Sequence, residues 1–124
     1  MSKARVLVVE DDSDLREALS DTLEIAEYQV WDVDSGEGAL AFLEKQAVDM
    51  VVSDINMGGI NGHELLERIR LKWPQIPVLL ITAYGDIGSA VQAMRSGAVD
   101  YLIKPFKPQL LVDAVGRYAN GMAI

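Results

Sequence analysis

Ala4-Arg5-Val6-Leu7-Val8-Val9-Glu10-Asp11-Asp12 passes from an almost unbroken apolar run into three consecutive acids. A run that is apolar at successive positions has both faces buried, the pattern of a strand in a parallel sheet covered on both sides. The three acids then fall at that strand's carboxyl end. Asp12 and Ser13 are N-cap candidates for a following helix. Leu15, Ala18, Leu19, Thr22, Leu23 and Ala26 recur at helical spacing beyond them.

The same alternation repeats along the chain. Gln29–Val33 alternates more and reads as a sheet edge; Asp34 and Glu37 then have capping-box spacing ahead of Ala39, Leu40 and Leu43. Val48–Val52 is a third strand, stopping at Ser53 and Asp54, and the glycine-rich loop Met57-Gly58-Gly59-Ile60-Asn61-Gly62 follows it. A helix is predicted from about His63 to Lys72, with Leu65, Leu66 and Ile69 inward. Val78–Ile81 is a fourth strand ended by Thr82; Ile87–Ser96 is a helix stopped by Gly97. Val99–Ile103 is a fifth strand, running into Lys104-Pro105. Pro108 opens a last helix with Leu110, Leu111, Ala114, Val115 and Tyr118 as its stripe. Strands separated by helices imply an α/β doubly wound sheet, and right-handed crossovers give the flavodoxin-like (βα)5 order 2-1-3-4-5.

The length of 124 residues fits one domain, and the residue summary (50% apolar, no cysteine) excludes a disulfide scaffold, a cysteine metal site and thiol catalysis. A formal charge of -8 repels phosphate backbones, so direct nucleic-acid binding is not expected. No secretory leader and no long apolar run is present, which makes the cytoplasm the expected location and a membrane an unexpected partner.

In this order ligands sit where the winding reverses, between strands one and three. Strand one delivers Glu10, Asp11 and Asp12 there, and strand three delivers Asp54. Two unit charges about 4 Å apart repel by about 4 kcal/mol at an effective dielectric near 20. Convergent carboxylates therefore call for a hard divalent cation. Mg²⁺ takes few carboxylates and completes its shell with water and phosphate, which favours phosphoryl chemistry. Thr82 and Lys104, at the ends of strands four and five, add a hydroxyl and an ammonium, and Asp54 is the best-placed nucleophile. Taken singly, each has an ordinary reading: Asp12 as a helix cap, Asp54 as a turn residue, Thr82 as a strand residue, Lys104 as a solvated strand end. Their joint occurrence on four strands favours the site.

The segments Val6-Leu7-Val8-Val9-Glu10-Asp11-Asp12, Val51-Val52-Ser53-Asp54 with Met57, Ile81-Thr82-Ala83 and Asp100-Tyr101-Leu102-Ile103-Lys104-Pro105-Phe106 resemble, in order, the receiver domain of bacterial two-component response regulators. The resemblance spans essentially residues 1–124 and includes no output domain. It implies that a sensor histidine kinase phosphorylates Asp54. It implies Mg²⁺ (or Mn²⁺) held by Asp11, Asp54 and the backbone carbonyl of Asn56, with Glu10 acting through water. Lys104 and the Ala83 backbone would contact the phosphoryl group, Thr82 and Tyr101 would be the switch pair, and the Lys104–Pro105 bond would be cis. Such a domain promotes its own phosphorylation and dephosphorylation without being a turnover enzyme. A homodimer through helix 4, strand 5 and helix 5 is expected from the family. Ala83-Tyr84-Gly85-Asp86-Ile87, Ala90-Val91-Gln92-Ala93-Met94 and Gly97-Ala98-Val99-Asp100-Tyr101 are similar to receivers of sigma-54-dependent activators of the nitrogen-regulator type. Those proteins carry ATPase and DNA-binding domains after the receiver, so the chain is an excised receiver or a single-domain regulator.

One departure stands out. The loop after Asp54 usually has Pro following its Met; here Gly58 and Gly59 follow, which predicts a more mobile loop. Gly85 and Gly88 weaken the first turn of helix four and make it a bistable element. His63 is expected to face solvent, and Trp31 and Trp73 to pack at helix–sheet margins. Three competing functions remain open. A phosphatase with an aspartyl-phosphate intermediate would use the spacing Asp12-Ser13-Asp14, but Asp14 falls inside the helix. A flavin module would need a Ser/Thr/Gly phosphate loop where the acids stand. A receiver signalling without phosphorylation would not need so complete a site.

Overall fold

The computed structural model of the chain describes residues 3–83 and 86–119. Its elements are β1 (Arg5–Val9), α1 (Ser13–Ile25), β2 (Gln29–Val33), α2 (Gly36–Lys45), β3 (Met50–Asp54), α3 (Gly62–Lys72), β4 (Val78–Thr82), α4 (Ile87–Arg95), β5 (Asp100–Ile103) and α5 (Pro108–Tyr118). The sheet is parallel throughout, in the order β2-β1-β3-β4-β5. This is the flavodoxin-like topology expected from the strand–helix alternation. β3 and β4 are buried at every position, as is β1 after Arg5, whereas β2 and β5 are partly exposed edges.

The period of two in each strand divides the core into two layers. Leu7, Val9, Val51 and Leu80 pack with Ala39, Leu43, Leu65, Leu66, Ile69 and Ala93 of α2, α3 and α4. Val6, Val8, Met50, Val52, Leu79 and Ile81 pack with Leu19, Leu23, Leu111, Ala114 and Val115 of α1 and α5. Each fully buried aliphatic side chain contributes about 1.5–3 kcal/mol. Trp31 sits partly buried at the margin of the first layer, its ring centroid 5.5 Å from that of Phe42, and Trp73 ends α3 as its C-cap.

Several boundaries differ from the sequence reading. β1 begins at Arg5 and β3 at Met50, because Asp49 turns its carboxylate onto Arg5. Asp49 Oδ2 accepts the Arg5 backbone N–H at 2.7 Å and Nε at 3.2 Å. Burial pushes the Asp49 carboxyl up, but the bonds from Arg5 outweigh it and hold the group below its ordinary value. At its other end β3 runs two residues further than expected, because Ser53 and Asp54 stay paired with Leu80 and Ile81 of β4, so that Asp54 is its last residue. The cap of α2 is Ser35, whose hydroxyl accepts Gly38 N–H at 2.9 Å, and Asp34 does not form the expected capping box. α4 ends at Arg95 with Ser96 as its cap, and Gly97 follows at φ +104°. Ala18 is exposed and Leu110 is half-exposed, so both leave the stripes assigned to them; the α1/α5 layer is filled by Leu19, Leu23 and Leu111. Gly85 lies outside the described residues.

Candidate functional site

β1 ends at Val9 and drops Glu10 into the interior with 1% exposure. Its main chain is held from both sides: Glu10 N–H donates to Val33 O at 3.1 Å, and Arg16 Nη1 donates to Glu10 O at 2.9 Å. Arg16 is itself paired with Asp32 on β2 at 3.3 Å. Asp12 closes the turn as the N-cap of α1, its Oδ1 accepting Asp14 N–H at 3.0 Å and Leu15 N–H at 3.2 Å. That use of Asp12, with Asp14 exposed inside α1, removes the paired acids a phosphatase of the Asp12-Ser13-Asp14 kind would require.

Glu10, Asp11 and Asp54 each bring a carboxylate oxygen to a common point, all within 4.8 Å of one another. Glu10 and Asp54 are buried and Asp11 is exposed, so the cluster has a dry floor and one open side. Lys104 Nζ approaches from beyond β5 and donates to Asp54 Oδ2 at 3.1 Å. The Lys104–Pro105 bond is cis, as expected. Thr82 ends β4 fully buried, and its hydroxyl has no hydrogen-bond partner. Glu10 Oε1 is likewise buried and unpartnered, while Oε2 accepts Asp12 N–H at 3.2 Å. Burial pushes the Glu10 carboxyl up to about 7; the Asp12 N–H opposes this, the Asp54 charge adds to it, and Lys104 opposes it.

Buried polar atoms without partners are costly. Glu10 Oε1 and Thr82 Oγ1 are such atoms, in the same end of the sheet as three crowded carboxylates. An all-oxygen donor set of this kind fits a small hard divalent cation with its waters, and has nothing to offer a soft one. The other residues singled out in the sequence fall around this point. Asn56 is exposed in the loop after β3, Ala83 is exposed just past Thr82, and Tyr101 is partly buried on β5 with its N–H on Asp100 Oδ1.

Sequence reasoning missed four contributors. Gly58 N–H donates to Asp11 Oδ2 at 3.2 Å, a bond the usual proline cannot make. Glu37, read as half of a capping box, instead accepts Ile60 N–H at 3.2 Å. Arg16, whose guanidinium holds the Glu10 carbonyl, and Gly62, at the start of α3, are the other two. His63 corrects an expectation: it is partly buried, and both ring nitrogens are shielded without a hydrogen-bond partner. The tight seating of the first turn of α3 accounts for this, since Gly62 N–H donates to Ile55 O at 2.8 Å.

A carboxylate centre at the switch point of a doubly wound parallel sheet, with a lysine reaching in from the fifth strand, defines a flavodoxin-like α/β domain of the receiver type. The chain belongs to the response regulator receiver domain family, whose model matches residues 6–116. It is 54% identical over 118 residues to the response regulator protein FleR of Pseudomonas aeruginosa, covering 95% of this chain and 25% of that protein. It is 40% identical over 117 residues to the DNA-binding transcriptional regulator NtrC of Salmonella typhimurium, covering 94% and 25%. The chain thus spans about a quarter of the length of these curated relatives. The crystal structure of the receiver domain of NtrX from Brucella abortus superposes with a TM-score of 0.89 at 32% identity, covering 94% of this chain and 98% of that one. The resemblance to receivers of the nitrogen-regulator type is therefore borne out. No helix among the described residues is long and apolar enough to cross a membrane.

Proposed function

We propose that the domain is a phosphorylation-dependent switch that takes a phosphoryl group from a sensor histidine kinase onto Asp54. A carboxylate oxygen of Asp54 attacks phosphorus, the phosphorus–nitrogen bond of the donor histidine breaks, and the electron pair leaves on the imidazole. The observation that carries this reading is the convergence of Glu10, Asp11 and Asp54 within 4.8 Å, with Lys104 Nζ on Asp54. Asp11, Asp54 and the Asn56 carbonyl would hold Mg²⁺ (or Mn²⁺), with Glu10 bound through water. The cation supplies neutralisation of the phosphoryl oxygens. Lys104, Thr82 Oγ1 and the Ala83 N–H then take up the oxygens left over, and Tyr101 follows the threonine. Because the Thr82 hydroxyl is buried and unpartnered, it is the natural donor of a new hydrogen bond to a phosphoryl oxygen.

In this reading the domain promotes its own phosphorylation and dephosphorylation stoichiometrically, in the cytoplasm, and does not touch nucleic acid. The response passes to α4, β5 and α5, where Ile87, Val91 and Met94 stand exposed at helical spacing on α4. That face would pair with a second receiver and regulate an output domain, of the transcriptional kind suggested by the relatives' names.

Treatment with a small phosphodonor and Mg²⁺, followed by intact-mass measurement, tests the proposal. Wild type should gain one phosphate, and neither Asp54→Ala nor the Mg²⁺-free reaction should. Labelling of Asp54→Ala to the wild-type extent would sink it.

A further inference from the structure

The loop between Asp54 and α3 lacks the proline that commonly stiffens it, yet it is not left loose. Gly58 N–H is held by Asp11 Oδ2 at 3.2 Å, and two residues on, Ile60 N–H is held by Glu37 Oε2 at 3.2 Å. Glu37 belongs to the first turn of α2, whose own cap is Ser35, so its carboxylate is free to serve the loop. Two glycines mark how closely these pieces fit. A Cβ at Gly59, which has φ +74°, would lie 2.5 Å from Glu37 Oε2; a Cβ at Gly36 would lie 2.4 Å from Ile60 Cγ1. The start of α2 is therefore seated on the loop by one hydrogen bond and two close approaches, the one at Gly59 with a positive φ that favours glycine.

We infer that Glu37 is a positioning residue of the phosphoryl-acceptor site, anchoring the loop so that Gly58 orients the Asp11 carboxylate and Asn56 stays over the acids. The inference rests on the proposed metal site and adds a partner from a helix that contributes no ligand. Two adjacent glycines lose more backbone freedom on ordering than a proline-containing loop does. Anchors at Gly58 and Ile60 offset that loss without the ring. Hydrogen bonds of this sort fix the groups that hold a metal, and removing them typically changes metal affinity.

Glu37→Ala deletes the acceptor, whereas Glu37→Gln keeps an oxygen at the same reach and removes only the charge. Mg²⁺ binding, measured by titration on the whole chain, should weaken about tenfold in Glu37→Ala, the low end for loss of an outer partner, and much less in Glu37→Gln. Amide exchange at Gly58 and Ile60 in metal-free protein should accelerate in Glu37→Ala only. The exposed site makes loss of folding a minor concern, and circular dichroism checks it. Equal weakening in both variants would assign the effect to charge and overturn the inference. So would wild-type affinity in Glu37→Ala, whatever its exchange rates. If wild type itself shows no Mg²⁺ binding, the metal-site reading fails and carries this one with it.

Discussion

Lys104 Nζ stands 3.1 Å from Asp54 Oδ2, joining the end of β5 to the end of β3 across the tip of β4. It is the cation that faces the buried carboxylate, and it reaches over Thr82, whose hydroxyl is unpartnered. A point charge on a flexible stem suits a phosphoryl oxygen as well as a carboxylate. Lys104→Ala should keep Mg²⁺ affinity at or above the wild-type level, since a competing cation is removed. Phosphodonor treatment of this variant should no longer shift the amide resonances of α4, β5 and α5. Loss of Mg²⁺ binding, or an unchanged pattern of shifts, would contradict the assigned role.

Glu10 carries a pH dependence whose sign follows from its burial. Its folded-state pKa, raised to about 7 from 4.5, means that the folded protein holds a proton which the unfolded chain has given up. The contribution of Glu10 to the stability of the metal-free protein should therefore be fully present below the lower value and be lost as pH rises through about 7. Because a cation favours the ionised form, binding should release that proton. Apparent Mg²⁺ affinity should fall about tenfold between about pH 8 and about pH 6. Glu10→Gln should flatten both dependences, as read by chemical denaturation and by titration.

Asp54 meets the carboxyl groups of Glu10 and Asp11 on one side and the ammonium of Lys104 on the other. At about 4 Å and an effective dielectric near 20, each such neighbour is worth about 4 kcal/mol before solvent screening. Asp54→Asn should thus raise the stability of the metal-free protein, by about 1 kcal/mol, while abolishing phosphorylation. Urea denaturation checks the first and intact mass the second. A less stable Asp54→Asn protein would mean that the Lys104 pair outweighs the crowding.

The acid-bearing strand ends were legible because parallel strands bury both faces, and the change from Val9 to Glu10 or from Val52 to Asp54 interrupts an apolar run. The order of the sheet followed from right-handed crossovers, and with it the meeting of Asp11 and Asp54. What could not be read were contacts made by backbone and by residues with a strong local alternative. Glu37 has capping spacing from Asp34, and nothing local to it reveals that Ser35 takes the cap and frees it for Ile60. Gly58 was legible as a lost restraint but not as a gained donor, because its partner Asp11 is 47 residues away. His63 reads as polar and exposed until α3 is seen to seat its first turn against β3.

Gly58, in the loop after β3, and Gly62, the first residue of α3, stand four positions apart and should respond oppositely to the same substitution. A Cβ at Gly58 meets nothing within 4 Å, so Gly58→Ala keeps the N–H to Asp11 and should change stability by less than about 0.5 kcal/mol. A Cβ at Gly62 would lie 2.7 Å from Asp54 O and 2.7 Å from Ile55 Cα. Those atoms are main chain and cannot rotate away, so α3 must lift from β3 or the Asp54 backbone must shift. Gly62→Ala should cost about 2 kcal/mol by urea denaturation, in the range of overpacked sites. It should also lower Mg²⁺ affinity, because Asp54 and the loop carrying Asn56 move together with the displaced strand end. Near-equal stability of the two variants would show that the first turn of α3 yields freely, and would remove Gly62 from the supports of the site.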